Sequence, residues 1–143
     1  MNTDRYGLAN DKSPYTGLPP HIADAFREYQ RQQAMRRSEW LRGAYDFYKN
    51  YRDMRDANTI GADKYFHCKA NCEAVSRGQG GEDAACTMSD SREWFDQNIK
   101  GDPASASAAD QAANIFGRSN ATRSQSCSQV CASFRPNGLP QGF

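Results

Sequence analysis

Asp53–Gly81 reads DMRDANTIGADKYFHCKANCEAVSRGQGG, and it contains a helix end, a turn, a complete helix and a glycine turn. Asn58-Thr59-Ile60-Gly61 stops whatever helix precedes it, because Asn and Gly accept backbone conformations that a helix interior does not. Asp63 then places negative charge where a helix N-terminus favours it. The helix predicted from about Ala62 to Arg77 sets Tyr65, Cys68, Cys72 and Val75 on one face. Gly78-Gln79-Gly80-Gly81 reads as a C-cap and tight turn. It lacks the Gly-Lys-Ser/Thr of a phosphate-cradling loop, which argues against nucleotide binding.

Upstream, His21–Ala57 holds no proline. Ile22, Phe26, Tyr29, Leu41, Ala44, Tyr48 and Tyr51 recur at steps of three and four, the mark of a long helix with one buried stripe. Its polar middle, Arg31 to Glu39, reads either as a solvated arm or as a break. Arg36, Arg37 and Arg42 form a basic cluster that could touch phosphate, although a solvated helix face is the simpler reading. Residues 1–20 carry Gly7, Asn10, Pro14, Gly17, Pro19 and Pro20 and are expected to be a flexible lead-in or linker, with the tandem prolines starting the helix.

Downstream, a third helix is predicted over Glu82–Ile99, with Ala85, Met88, Phe95 and Ile99 inward and Lys100-Gly101 closing it. Asp102-Pro103 reads as an N-cap followed by proline at the first helical position. The fourth helix runs to about Phe116, burying Ala108, Ala112 and Ile115 or Phe116, and Gly117 ends it. Residues 118–126 form a polar loop with an Asn120-Ala121-Thr122 sequon. Cys127–Cys131 fits one helical turn, and FRPNGLPQGF is too rich in Pro and Gly to be helical. The fold class expected is all-α: residues 21–143 form a four-helix bundle with a long first helix and an extended C-terminal tail wrapped across the helices.

The totals exclude more than they assign. A net charge of +1 with 24% charged residues implies no nucleic-acid partner. No apolar run approaches the length of a membrane-spanning helix. MNTDRYGLANDKSPYTGLPP has neither a basic start nor an apolar block, so export is expected by a signal-peptide-independent route.

Four of the five cysteines fall in two C-x3-C pairs, Cys68/Cys72 and Cys127/Cys131. Each pair stacks its sulfurs at i and i+4 on a helix. Antiparallel segments would join Cys68 to Cys131 and Cys72 to Cys127, but four cysteines allow three pairings. Two alternatives stay open: a zinc site of four thiolates, for which C-x3-C is an unusual spacing, and free buried thiols. Disulfides would imply an oxidising compartment. Cys86 reads as a small core residue.

His67 has Asp63 at i−4 and Asn71 at i+4, the outline of a general base. The sequence places no Ser or Cys nucleophile beside it, and a structural histidine is the simpler reading. Glu93 and Asp96 could be a carboxylate pair, or a solvent face salt-bridged with Arg92. Trp94 and Phe95 are adjacent, so one points off the core; an exposed Trp94 would suit membrane or partner contact.

ANTIGADKYFH, GQGG, SDSREWFDQN, ADQAANIFGRS and FRPNGLP together resemble the serum amyloid A family, from about Gly43 to Pro140. The resemblance implies a small four-helix bundle whose tail wraps across the helices. It implies that Asp110, Asn114 and Arg118 tie the last helix and tail together, and that Arg135 is the tail arginine. The polar lead-in and the cysteines in DKYFHCKANCEA depart from the vertebrate pattern. They look more like bacterial forms at the C-terminal ends of Rhs/YD-repeat polymorphic toxins. The function this implies is a secreted effector or toxin domain acting by membrane or target binding, without a cofactor and with a cognate immunity protein as partner. The alternatives are a lipid- or retinoid-binding protein of the serum amyloid A kind, oligomeric, and a hydrolase using His67.

Overall fold

A computed structural model describes residues 13–95, 101 and 104–143. The helices are α1 (Pro20–Ala57), α2 (Asp63–Val75), α3 (Gln79–Phe95), α4 (Ala104–Asn120) and the single turn α5 (Cys127–Val130), followed by a 3-10 turn at Ala132–Phe134. The architecture is the all-α bundle of four main helices with a long first helix and a tail that lies across it. Asp102-Pro103, Ile99 and Asp96 lie outside the described residues, as do the side chains of Glu93, Trp94 and Phe95.

Contacts divide the chain into two compact units, one ending at Ala34 and the other running Met35–Phe143. In the first, the Tyr15 ring stacks on Phe26 with centroids 5.8 Å apart, and the Arg27 guanidinium lies 5.5 Å from the Tyr15 centroid. Helix α1 continues unbroken through the polar segment Arg31–Glu39. It ends where Asn58 takes φ +44° and Gly61 φ +80°.

In the second unit α2 is the central helix. Tyr65, Phe66, Cys68, Lys69, Ala70, Asn71, Cys72 and Ala74 are all buried, so the helix is enclosed on most of its circumference. Tyr65, Phe66, Cys68, Cys72, Ala113, Cys131 and Leu139 form the apolar core. The tail is held to α2 by two disulfides, Cys68–Cys131 and Cys72–Cys127. Arg135 then closes the tail on itself. It donates to the carbonyls of Phe143 at 2.7 Å and Pro140 at 2.7 Å, and to the Tyr65 hydroxyl at 3.2 Å.

Several expected faces are reversed. In the second unit the buried α1 positions are Gly43, Asp46 and Asn50, whereas Leu41, Tyr48 and Tyr51 are 66%, 58% and 45% exposed. The reason is close packing. A Cβ on Gly43 would sit 3.1 Å from both Ala84 Cβ and Gly81 Cα, so a bulky apolar residue has no room there. Arg77 reaches across to Asp46 with paired bonds of 2.8 and 2.7 Å, giving that buried carboxylate its partner.

On α4 the buried residues are Ser107, Ala113, Asn114 and Gly117, while Ala108, Ala112, Ile115 and Phe116 face outward. Gly117 does not end that helix, which continues to Asn120. A Cβ there would collide with the Cys68 carbonyl oxygen. It is a crossing point where α4 touches α2 backbone. The glycine run divides likewise: Gly78, at φ +119°, ends the α2 segment, and Gly80 and Gly81 lie inside α3 against Arg36 and Ala74 backbone. Cys86 is exposed rather than in the core.

Candidate functional site

The exposed α1 residues border an open cleft between α1, α2 and α3. Its volume is about 280 Å³, and its walls include Phe47, Tyr48, Tyr51 and Met54 from α1, Phe66 and Ala70 from α2, and Met88 from α3. Polar groups enter at four places: Asn50, His67, Ser89 and Arg92. Such a wall, mostly apolar with few polar points, is the ordinary make-up of a small-molecule site.

The cleft exists because the α1 side chains that line it are set one turn apart. Phe47, Tyr51 and Met54 follow i, i+4, i+7 spacing and present a continuous ridge. Beyond Tyr48, Tyr45 and Leu41 extend the apolar surface along the helix. Arginines fringe this surface: Arg52 lies 5.9 Å from the Tyr48 ring, and Arg55 and Arg92 lie 5.9 and 5.7 Å from the Tyr51 ring.

Asn50 is 1% exposed. Its Nδ2 donates to the Asp46 carbonyl at 2.8 Å and to Glu73 Oε1 at 2.7 Å. Both partners are acceptors, which fixes the amide orientation. Among the described residues no group donates to its Oδ1.

His67 borders the cleft from the α2 side. Its Nδ1 lies 3.1 Å from Asn114 Oδ1, and its Nε2 lies 3.8 Å from Asp110 Oδ2. Asn114 Oδ1 also accepts from Asn71, so the neutral imidazole carries its proton on Nδ1. Burial pushes His67 below its ordinary value; Asp110 pulls it back up, Arg92 pushes it down further, and the net direction is down.

The outline of a catalytic histidine does not assemble. Asn71 donates to the His67 backbone carbonyl at 2.8 Å and not to the ring. Its Oδ1 instead accepts from Ser89 Oγ at 2.9 Å and from Arg118 at 2.9 Å. Asp63 pairs with Lys64 at 3.2 Å. His67 is one member of a buried polar layer that joins α2, α3 and α4. Asp110, Asn114 and Arg118 belong to the same layer: Asp110 pairs with Lys64 at 3.1 Å, and the three meet α2 side chains. Of the four residues expected to anchor the tail, Arg135 is the one whose bonds run within it.

Arg36 binds Asp83 at 2.8 Å, and Arg37 is exposed without assembling an anion site with it. Trp94 lies outside the described side chains. With their sulfurs bonded in pairs, Cys68, Cys72, Cys127 and Cys131 offer no thiolates for zinc. Sequence reasoning missed Asn50 and the cleft. The available signal was Asn50 standing among Phe47, Tyr48, Tyr51 and Met54, a polar residue on what looked like a buried apolar helix.

The family profile described as Serum amyloid A protein matches residues 34–143. The serum amyloid A protein of Anas platyrhynchos is 44% identical over 101 residues, covering 71% of this chain and 73% of that protein. Serum amyloid A-1 of Oryctolagus cuniculus is 46% identical over 105 residues, covering 73% and 79%. Serum amyloid A-1 of Homo sapiens is 46% identical over 101 residues, covering 71% and 75%. These relatives are vertebrate proteins, and they overturn the assignment to bacterial Rhs/YD-repeat toxin ends together with the effector and toxin function drawn from it. That assignment rested on the cysteines and the polar lead-in. The bundle and its motifs, which extend over most of the chain, point elsewhere.

Proposed function

The chain belongs to the serum amyloid A family, and we propose that it binds lipid through the apolar face of α1 and the cleft that this face borders. The observation behind this reading is the exposure of Leu41, Tyr45, Tyr48 and Tyr51 on one helix of a protein whose core is mainly Ala and Cys around Tyr65 and Phe66. Scattered apolar side chains are normal on a surface; a contiguous row leading into an apolar cleft marks a contact site. The arginines over Tyr48 and Tyr51 suit the polar boundary of a lipid layer, with the rings below and the charges at head-group level. The tail disulfides favour action in an oxidising compartment, reached by secretion.

Flotation with phosphatidylcholine vesicles, with and without phosphatidylglycerol, tests this. The chain is expected to float with vesicles. Leu41→Ser with Tyr48→Ser should weaken binding at least about tenfold, since two apolar side chains lose their transfer from water. Both residues are exposed, so circular dichroism should be unchanged. A chain that stays in solution with either vesicle ends the proposal.

A further inference from the structure

We infer that Asn120 is an acceptor for an N-linked oligosaccharide, placed where the glycan leaves the α1 face and its cleft uncovered. The inference rests on the reading that the chain is secreted, and its first readout is a mass rather than lipid binding.

The sequence narrows the choice to one residue. Asn120 is the asparagine with Ser or Thr two positions on and no proline between, in Asn120-Ala121-Thr122. Such a tripeptide takes its glycan as the chain enters a eukaryotic secretory compartment, and a bulky polar glycan needs a surface. The two tail disulfides fit the first condition, since the same lumen oxidises thiols. The fold meets the second. Asn120 is the last residue of α4, and Ala121 and Thr122 lie beyond the helix, in the stretch that leads to α5. Asn120 and Thr122 are both exposed. The end of α4 is held in place by Phe116, whose ring meets Phe134 of the tail edge-on at 5.3 Å.

The side-chain amide suits the reaction. Asn120 Nδ2 donates to the Phe116 carbonyl at 2.9 Å. An amide nitrogen carries two hydrogens, and that bond uses one. In the transfer, Nδ2 forms a bond to the anomeric carbon of the oligosaccharide. The bond from that carbon to the diphosphate of its polyprenyl carrier breaks, the diphosphate leaves, and one amide proton passes to a base of the transferase. The N–H that remains can still donate to Phe116, so the modified residue closes the helix as the unmodified one does. Order along the chain also favours the reaction. The tripeptide precedes Cys127 and Cys131, so it emerges before the tail can be bonded to α2. At that stage Thr122 is not yet held in its 3.2 Å contact with Ser124.

The position keeps the glycan off the proposed lipid site. The walls of the cleft come from α1, α2 and α3, and among the described residues none of them is on α4. Helix α4 packs instead on α2, through Asn114 and Gly117.

The experiment is to express the chain in cultured mammalian cells behind a cleavable export signal. The mass of the product, in medium and cell extract alike, is read before and after treatment with peptide N-glycosidase. A glycan-sized excess mass that the enzyme removes is expected, with peptide mapping placing it on Asn120. Thr122→Ala should lose the excess and Thr122→Ser should keep it. If Thr122→Ala does not fold, peptide mapping of the unchanged chain still decides. An unmodified mass in chains whose disulfides have formed overturns the proposal and leaves Asn120 as a residue that closes a helix. Glycosylated and enzyme-treated chains should float equally with phosphatidylcholine vesicles; a glycosylated form that floats less than the treated one overturns the placement clear of the α1 face. If neither form floats, the lipid-binding reading fails, while the acceptor site, read from mass, stands.

Discussion

His67 is tuned by enclosure rather than poised for proton transfer. Its ring is hemmed in by α2 and α4, one nitrogen is held by Asn114, and its pKa lies below the ordinary value of about 6.5 mainly because burial disfavours the charged form. The unfolded chain takes up a proton at about pH 6.5, whereas the folded chain resists until lower pH. Stability from this group is therefore complete above about pH 6.5 and is lost as pH falls through the folded value. Urea midpoints at about pH 7.5 and 5 should fall more for the parent chain than for His67→Gln. A parent and variant that lose equal stability would show that His67 does not set the acid limb. The placement of His67 on α2 could be read from DKYFHCKAN. Its partners on α4 could not, because which helix packs against which face is a tertiary choice that no local spacing records.

At the scale of elements, helix faces were the least legible feature. Periodicity locates an amphipathic stripe correctly but does not say whether that stripe is the buried one. On α1 the buried side is Gly43, Asp46 and Asn50, because α3 approaches through Gly81 and Ala84 and Arg77 supplies the charge for Asp46. On α4 the pairing with α2 works in the same way, through a glycine placed against backbone. Gly117→Ala should cost about 1–3 kcal/mol, the range for overpacking, because the Cys68 carbonyl is part of a helix and cannot swing aside. Ala112→Gly, on the exposed side of the same helix, should cost only the helix-propensity difference of about 1 kcal/mol. Thermal unfolding of both variants gives the comparison. Gly117→Ala as stable as the parent would mean that the α2–α4 crossing is looser than described. The glycine could be seen in the sequence, but it looked like a helix terminator because packing glycines and capping glycines are the same letter.

For the molecule as a whole, the element order and the tail were readable because turn residues and cysteine spacing are local signals that happen to carry global information. The two C-x3-C pairs lie on facing helical turns, and each bond closes a long loop, with separations of 63 and 55 residues. In the chain-entropy account a single closure of that length contributes about 4 kcal/mol, and the second, once the first is made, closes only the ring of about ten residues between the two bonds and adds about 2.7 kcal/mol. Reducing both bonds should therefore lower the unfolding free energy by about 7 kcal/mol. Replacing Cys72 and Cys127 together by alanine should cost about 2.7 kcal/mol of chain entropy, a difference that denaturant titration resolves.

The same staple sets an order of events during synthesis. The central helix leaves the ribosome early, but Cys68 cannot meet Cys131 until another 63 residues have been added. In that interval its nearest thiol is Cys72, one turn away, and Cys86 follows soon after on an exposed surface. A compartment that oxidises thiols quickly would trap those early neighbours. The correct seam therefore depends on thiol exchange being allowed to continue until translation has delivered the tail.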